Sequence, residues 1–228
     1  MPYMKVSLPC LVGLCMAAAL TMSAVGNASA KSLLFKTSSG FPFDLAGSGG
    51  LQIFELLNTL KVRAASVDAL ATLINATLFN ENLTFLGVLQ GEQFPCHSAG
   101  DAEGVILLNL RGHLGLAMPG DTPGVLLSLP SRFEFSCGLG GTWQIFGNDI
   151  GLITSPGILG VGTKSLGINF VQSGGLQLPT SFLLENLLLT NQALLTTMDN
   201  LTETLLPLGQ MGSWTLLATT GTFTIVDE

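Results

Sequence analysis

The sequence predicts an all-β protein, an antiparallel β-sandwich of about 10–13 short strands with one disulfide. Three observations lead there. Apolar and polar residues alternate with a period of two through much of the chain. Turn signals built on Gly and Pro interrupt those runs at close spacing. The 28 glycines suit turns and are poor material for long helices.

The chain opens on an address. Lys5 supplies a positive start, Val6 to Val25 an apolar stretch, and Ala28-Ser29-Ala30 a small-residue cleavage site. Together they read as a secretory signal peptide cut between Ala30 and Lys31. An uncleaved membrane anchor is the rival, since the stretch nearly has the length to span; its Ala, Ser and Gly content and the Ala-x-Ala site favour cleavage. Acylation at Cys15 is rejected because Leu14 sits where a small residue is needed. Residues 31–228 remain as a single domain, with no second apolar span and no dividing linker. Cys10 and Cys15 leave with the leader, so Cys96 and Cys137 are the cysteines left. An even pair in an oxidising compartment favours a disulfide, two buried free thiols being the alternative.

Strands follow in order. Phe133, Phe135 and Cys137 share one face against Arg132, Glu134 and Ser136. Trp143 and Ile145 alternate with Thr142 and Gln144, and Leu166, Ile168 and Phe170 with Ser165, Gly167 and Asn169. Near the end, Trp214 and Leu216 oppose Ser213 and Thr215, and Phe223 and Ile225 oppose Thr222 and Thr224. One wet and one dry face is the signature of antiparallel sheets. Turns are expected at Ser48-Gly49-Gly50, Ser98 to Asp101, Pro119-Gly120-Asp121, Pro123-Gly124, Gly138 to Gly141, Ser155-Pro156-Gly157, Ser173-Gly174-Gly175 and Gly221. Two segments, 66–79 and 182–195, also carry helical spacing. Their threonines (Thr72, Thr77, Thr190, Thr196, Thr197) decide for strands.

The chain is 228 residues long with 47% hydrophobic and 10% charged residues, and its 8 basic and 15 acidic side chains give a net charge of −7. That balance argues against nucleic acid, which calls for clustered Lys and Arg. Catalytic material is sparse. His97 and His113 are the only imidazoles; both read as exposed loop residues, and no Gly-x-Ser-x-Gly elbow is present. His97 with Asp101 and Glu103 makes a weak metal set, and solvated loop acids are the commoner meaning of such a group. Gly160-x-Gly162 and Gly138 to Gly141 lack the lysine of a phosphate loop. Asn75, Asn82 and Asn200 stand in Asn-x-Thr triplets, to which a Thr-rich sequence gives no weight. The aliphatic runs Ile106-Leu107-Leu108, Leu126-Leu127 and Leu187-Leu188-Leu189 read first as strands covered on both faces, second as a cavity or patch for an apolar ligand or partner.

From Cys96 onward particular segments stand out: Cys96-His97-Ser98-Ala99-Gly100, Glu103-Gly104, Phe135-Ser136-Cys137, the run Gly147 to Pro156 (GNDIGLITSP), and Gly175-Leu176-Gln177. In these the chain resembles a family of uncharacterised secreted β-rich proteins of high-GC, mainly actinobacterial, bacteria. It departs from that family in its N-terminal half, with Val88 after Phe85-x-Gly87 where members carry a further cysteine. The resemblance implies secretion, β structure and a Cys96–Cys137 bond, and it implies no mechanism.

The expectation is an exported, non-catalytic module of the envelope or extracellular space, structural or binding, without cofactor or metal. A carrier of lipid or another apolar small molecule is the first alternative, and a secreted hydrolase with an acidic site the second. A protein or envelope partner stays open, as does self-association through the edge of Thr220 to Val226. No stable membrane span is expected after cleavage.

Overall fold

The computed structural model describes residues 32–56, 60–138, 141–155, 162–198 and 206–228. The signal segment with Ala30 and Lys31, the Pro156-Gly157 turn, Gly160 and Asn200 lie outside the described residues. The rest is almost entirely strand, antiparallel throughout, with one disulfide, as the alternation predicts. The described residues form 20 strands, more than the 10–13 expected, because several are only two or three residues long and too short to show a period.

Eight strands carry the architecture: β2 (Phe43–Gly49), β5 (Ser66–Leu73), β6 (Leu78–Leu86), β10 (Val105–Met118), β11 (Thr122–Ser128), β13 (Thr142–Ser155), β14 (Ser165–Ser173) and β19 (Leu206–Ala218). Each pairs with the next in that order. The last then pairs back on the first, Ala218 opposite Leu45 and Trp214 opposite Gly49. The sandwich-like sheet is therefore closed into a ring. Local sequence explains each wall segment. In β6, Phe79, Glu81, Leu83 and Phe85 are buried inside while Asn80 and Asn82 are exposed. In β5, Val67, Ala69, Ala71 and Leu73 are buried while Asp68 and Leu70 are exposed. The tight link between these two strands is held by Asn75, whose Oδ1 accepts from the Thr77 and Leu78 amides at 2.9 Å each.

Most ring strands run on past a kink into a shorter second tier. β3 (Gln52–Leu56) follows β2, β4 (Leu60–Ala64) leads into β5, β7 (Leu89–Gln90) follows β6, and β12 (Phe133–Ser136) follows β11. β18 (Leu194–Met198) takes the place of β14 between the first halves of β13 and β19. β8 (Phe94–Pro95) pairs with β7, and β9 (His97–Ser98) pairs with β12. Cys96 alone separates β8 from β9, so this tier closes as well. The long strands bend between tiers at Gly147 (φ +105°) and Gly212 (φ +149°), backbone values that favour glycine.

Cys96, fully buried, is bonded to Cys137 at the end of β12. Beside this bridge, Trp143 stacks on Phe135 with ring centroids 5.9 Å apart and donates to Gln90 Oε1 at 3.1 Å. The far end of the first tier is closed by β1 (Leu33–Thr37) and β20 (Phe223–Asp227), paired with each other. There Phe35 meets Phe79 and Phe223 edge-on, each at 6.3 Å. One apolar core runs through both tiers, from Phe43 and Leu45 to Leu56, Val62 and Trp143.

Outside the wall, β15 (Leu176–Leu178) folds back on β14, and β16 (Ser181–Leu184) pairs with both β10 and β17 (Leu187–Leu189). Phe182 thereby covers Ala117, Leu126 and Ile150. Leu126-Leu127 is thus buried on both faces, as expected, whereas Leu107, Leu187 and Leu188 stay exposed.

Several local expectations are corrected. His97 and His113 are half-buried strand residues, opposite Ser136 and Leu126 respectively, because a histidine on a two-sided wall need not mark a loop. Pro123-Gly124 lies within β11, with Gly124 paired to both Gly115 and Leu152. Ser48-Gly49-Gly50 is the bend between two consecutive strands and not a hairpin. Thr220 to Val226 is engaged along one side, where β20 is paired to β1, and on its other side Thr163 bridges Phe223.

Candidate functional site

Closure of eight strands leaves an interior just wide enough to be filled by side chains or to hold one small ligand. Here aromatic and aliphatic side chains such as Leu45, Phe79 and Phe85 pack into it. Where the two tiers meet, a void of about 40 Å³ remains, walled by groups such as Phe54, Leu83, Phe85, Ile106 and Ile145. Two polar side chains break that lining: Asp149 of β13 and Gln210 of β19. They are 3% and 5% exposed. Asp149 Oδ1, Asp149 Oδ2 and Gln210 Nε2 make no hydrogen bond among the described residues. Burial drives the Asp149 carboxyl well above the usual carboxylate range, with the nearby Ile150 amide opposing. A buried polar atom left unpaired costs about 1–3 kcal/mol, so three on one apolar wall mark a place where something polar belongs.

Leu108, Leu129 and Phe133 line this void and also an outer cleft of about 150 Å³, whose other walls include Leu107, Asn109, Pro130 and Ser131. All three are half-buried. The link from β11 to β12 forms part of that cleft. Beside it Arg132 lies over the Phe146 ring at 5.4 Å and donates to Gln144 Oε1 at 3.0 Å.

A second buried acid sits elsewhere in the ring. Glu81 Oε1 accepts from Trp214 Nε1 at 2.8 Å, and Trp214 stacks on Phe170 at 4.6 Å. Burial pushes the Glu81 carboxyl up to about 8, the Trp214 hydrogen bond opposing. Glu81 does not line the void that holds Asp149.

The sequence-predicted candidates fare unevenly. Cys96 and Cys137 form the disulfide. His97, Asp101 and Glu103 make no metal-binding group, since no set of three or more His, Cys, Asp or Glu side chains converges among the described residues. His97 Nδ1 is buried and has no hydrogen-bond partner among the described residues. His113 is held below its ordinary pKa by burial and by Arg111, with Glu185 opposing. Asn75 serves its turn and Asn82 stands exposed on the outer wall. Asp149 and Gln210 went unnoticed in the sequence, though a signal exists: both fall on the inward parity of their strands, Asp149 with Ile145 and Gln210 with Leu208.

Fold and site together define an all-β, antiparallel, disulfide-bonded protein with a polar-marked apolar cavity. No family model, curated protein or solved structure matched the chain.

Proposed function

We propose that this is an exported, non-catalytic binding module that holds a small, mainly apolar molecule inside its closed sheet. The observation that carries this reading is the interior void, apolar but for two buried side chains with unpaired polar atoms. A mostly apolar cavity with a few convergent polar groups is the form small-molecule sites take. A void of about 40 Å³ suits a compact ligand better than a long-chain lipid, which narrows the carrier expectation. Export is supported by the leader-like first thirty residues and by the disulfide.

The test is intact mass of the protein from its native secreted fraction, native and denaturing, with and without reductant. The expected species begins at Lys31, is lighter by two hydrogens before reduction, and carries extra native mass that denaturation releases. A bare native mass that takes up no added apolar compound overturns the binding reading. A second reading, a structural module docking to a protein or envelope partner, draws on the exposed Leu176, Leu178, Leu187 and Leu188 of the outer hairpins.

A further inference from the structure

We propose that the ligand class of this cavity is the neutral carbonyl compound: a short apolar body bearing a ketone, an amide or an undissociated acid, its oxygen held between Gln210 and Asp149. This rests on the binding reading above and assigns the chemistry of that same site.

Gln210 Nε2 is only a donor, and it is unpaired, so it calls for an acceptor. Asp149 lies in a mainly apolar lining that, among the described residues, includes no Lys or Arg. Without a counter-charge a buried carboxyl keeps its proton, which agrees with its raised pKa. It then presents one O–H donor and one free acceptor. Two donors on one wall are complementary to a carbonyl oxygen. An alkylammonium would place its own N–H groups against Gln210 Nε2, and an alkane would leave all three atoms unpaired. An amide or undissociated acid adds a donor that the second Asp149 oxygen can accept.

The architecture supports a ligand bridging two strands. β13 and β19 are each one position removed from the strand between them, so their backbones stand roughly 10 Å apart at the usual strand spacing. No hydrogen bond joins the two side chains across that gap. Space sets the size. About 40 Å³ is room for roughly three water-sized spheres, matching a polar head and its first carbons. Leu108, Leu129 and Phe133 stand between this void and the outer cleft, and the remainder of the body would have to displace them to reach it. A cluster of two or three waters would satisfy the same atoms, and the experiment separates the two.

Calorimetric titration of the mature, disulfide-bonded protein at pH 7 with three matched probes provides the test: 2-hexanone, n-hexylamine and n-hexane. We expect saturable binding of 2-hexanone at least tenfold tighter than hexane, with hexylamine weakest. Asp149→Leu and Gln210→Leu should each lower 2-hexanone affinity about tenfold or more and leave hexane unchanged or tighter. Asp149→Asn, which keeps size and a donor, should retain most 2-hexanone binding and guards against misfolding of the leucine variants. Equal affinity for all three probes, or preference for hexylamine, overturns the carbonyl assignment and leaves the binding reading standing. Failure of every probe to bind overturns both and leaves the void to water.

Discussion

Glu81 shows what one residue on the wrong parity does. The pattern of β6 reserves its position for an apolar side chain, and the carboxyl it places there has one partner, Trp214. In the unfolded chain this acid has an ordinary value near 4.5, and in the fold about 8. A raised acid favours the folded state fully below the ordinary value, and that contribution is lost as pH rises through the folded one. Stability is therefore expected to fall between about pH 4.5 and 8, by up to roughly 5 kcal/mol at about 1.4 kcal/mol per unit. Asp149 adds in the same direction. Urea unfolding at pH 5 and pH 8 measures the fall. Glu81→Gln, which keeps an acceptor for Trp214, should flatten much of it, and an unchanged difference in that variant would refute the assignment. Reading the chain as residues shows fifteen acids and nominates none. Parity marks Glu81 and Asp149 as inward, but only the closed ring shows that one is capped by an indole while the other faces a void.

At the scale of elements, alternation was enough to place β12, β14, β20 and parts of β13 and β19, because each of these buries one face. The segments 66–79 and 182–195 became strands as their threonines indicate, since a sheet partner outweighs helical spacing in Leu-rich stretches. Pairing partners were not legible. Nothing in β2 says that its neighbour is β19, and short pieces such as β8 and β9 carry too few residues for a period. Nor does local sequence tell a turn from a kink, which is why Gly124 and Gly49 read as turns. Close packing between elements gives a sharp expectation. A Cβ built on Gly112 of β10 would stand 2.1 Å from Phe79 Cζ of β6. Gly112→Val should therefore destabilise by about 1–3 kcal/mol through overpacking, lowering the urea midpoint. Pairing it with Phe79→Leu should recover part of the loss; strict additivity of the two would show that the ring is not the cause.

For the molecule as a whole, the disulfide ties the piece that completes the second tier to the strand beside it. It closes a loop of 41 residues, which in the chain-entropy account is worth about 4 kcal/mol. Cys96→Ser with Cys137→Ser is expected to lower the thermal midpoint by a corresponding margin, checked by calorimetry against the oxidised parent. The ring itself bears on how the protein is made. A meander lets each strand settle on the one before it as the chain emerges, but β2 must wait for β19, from position 45 to position 218. Contacts that far apart in sequence form late and slowly. Until then β2 presents a bare edge, the template on which unfinished chains stick to one another. The residues synthesised near the end thus set the moment at which a nascent molecule stops being a hazard to its neighbours. A premature stop before Leu206 should yield insoluble aggregates rather than a smaller soluble domain.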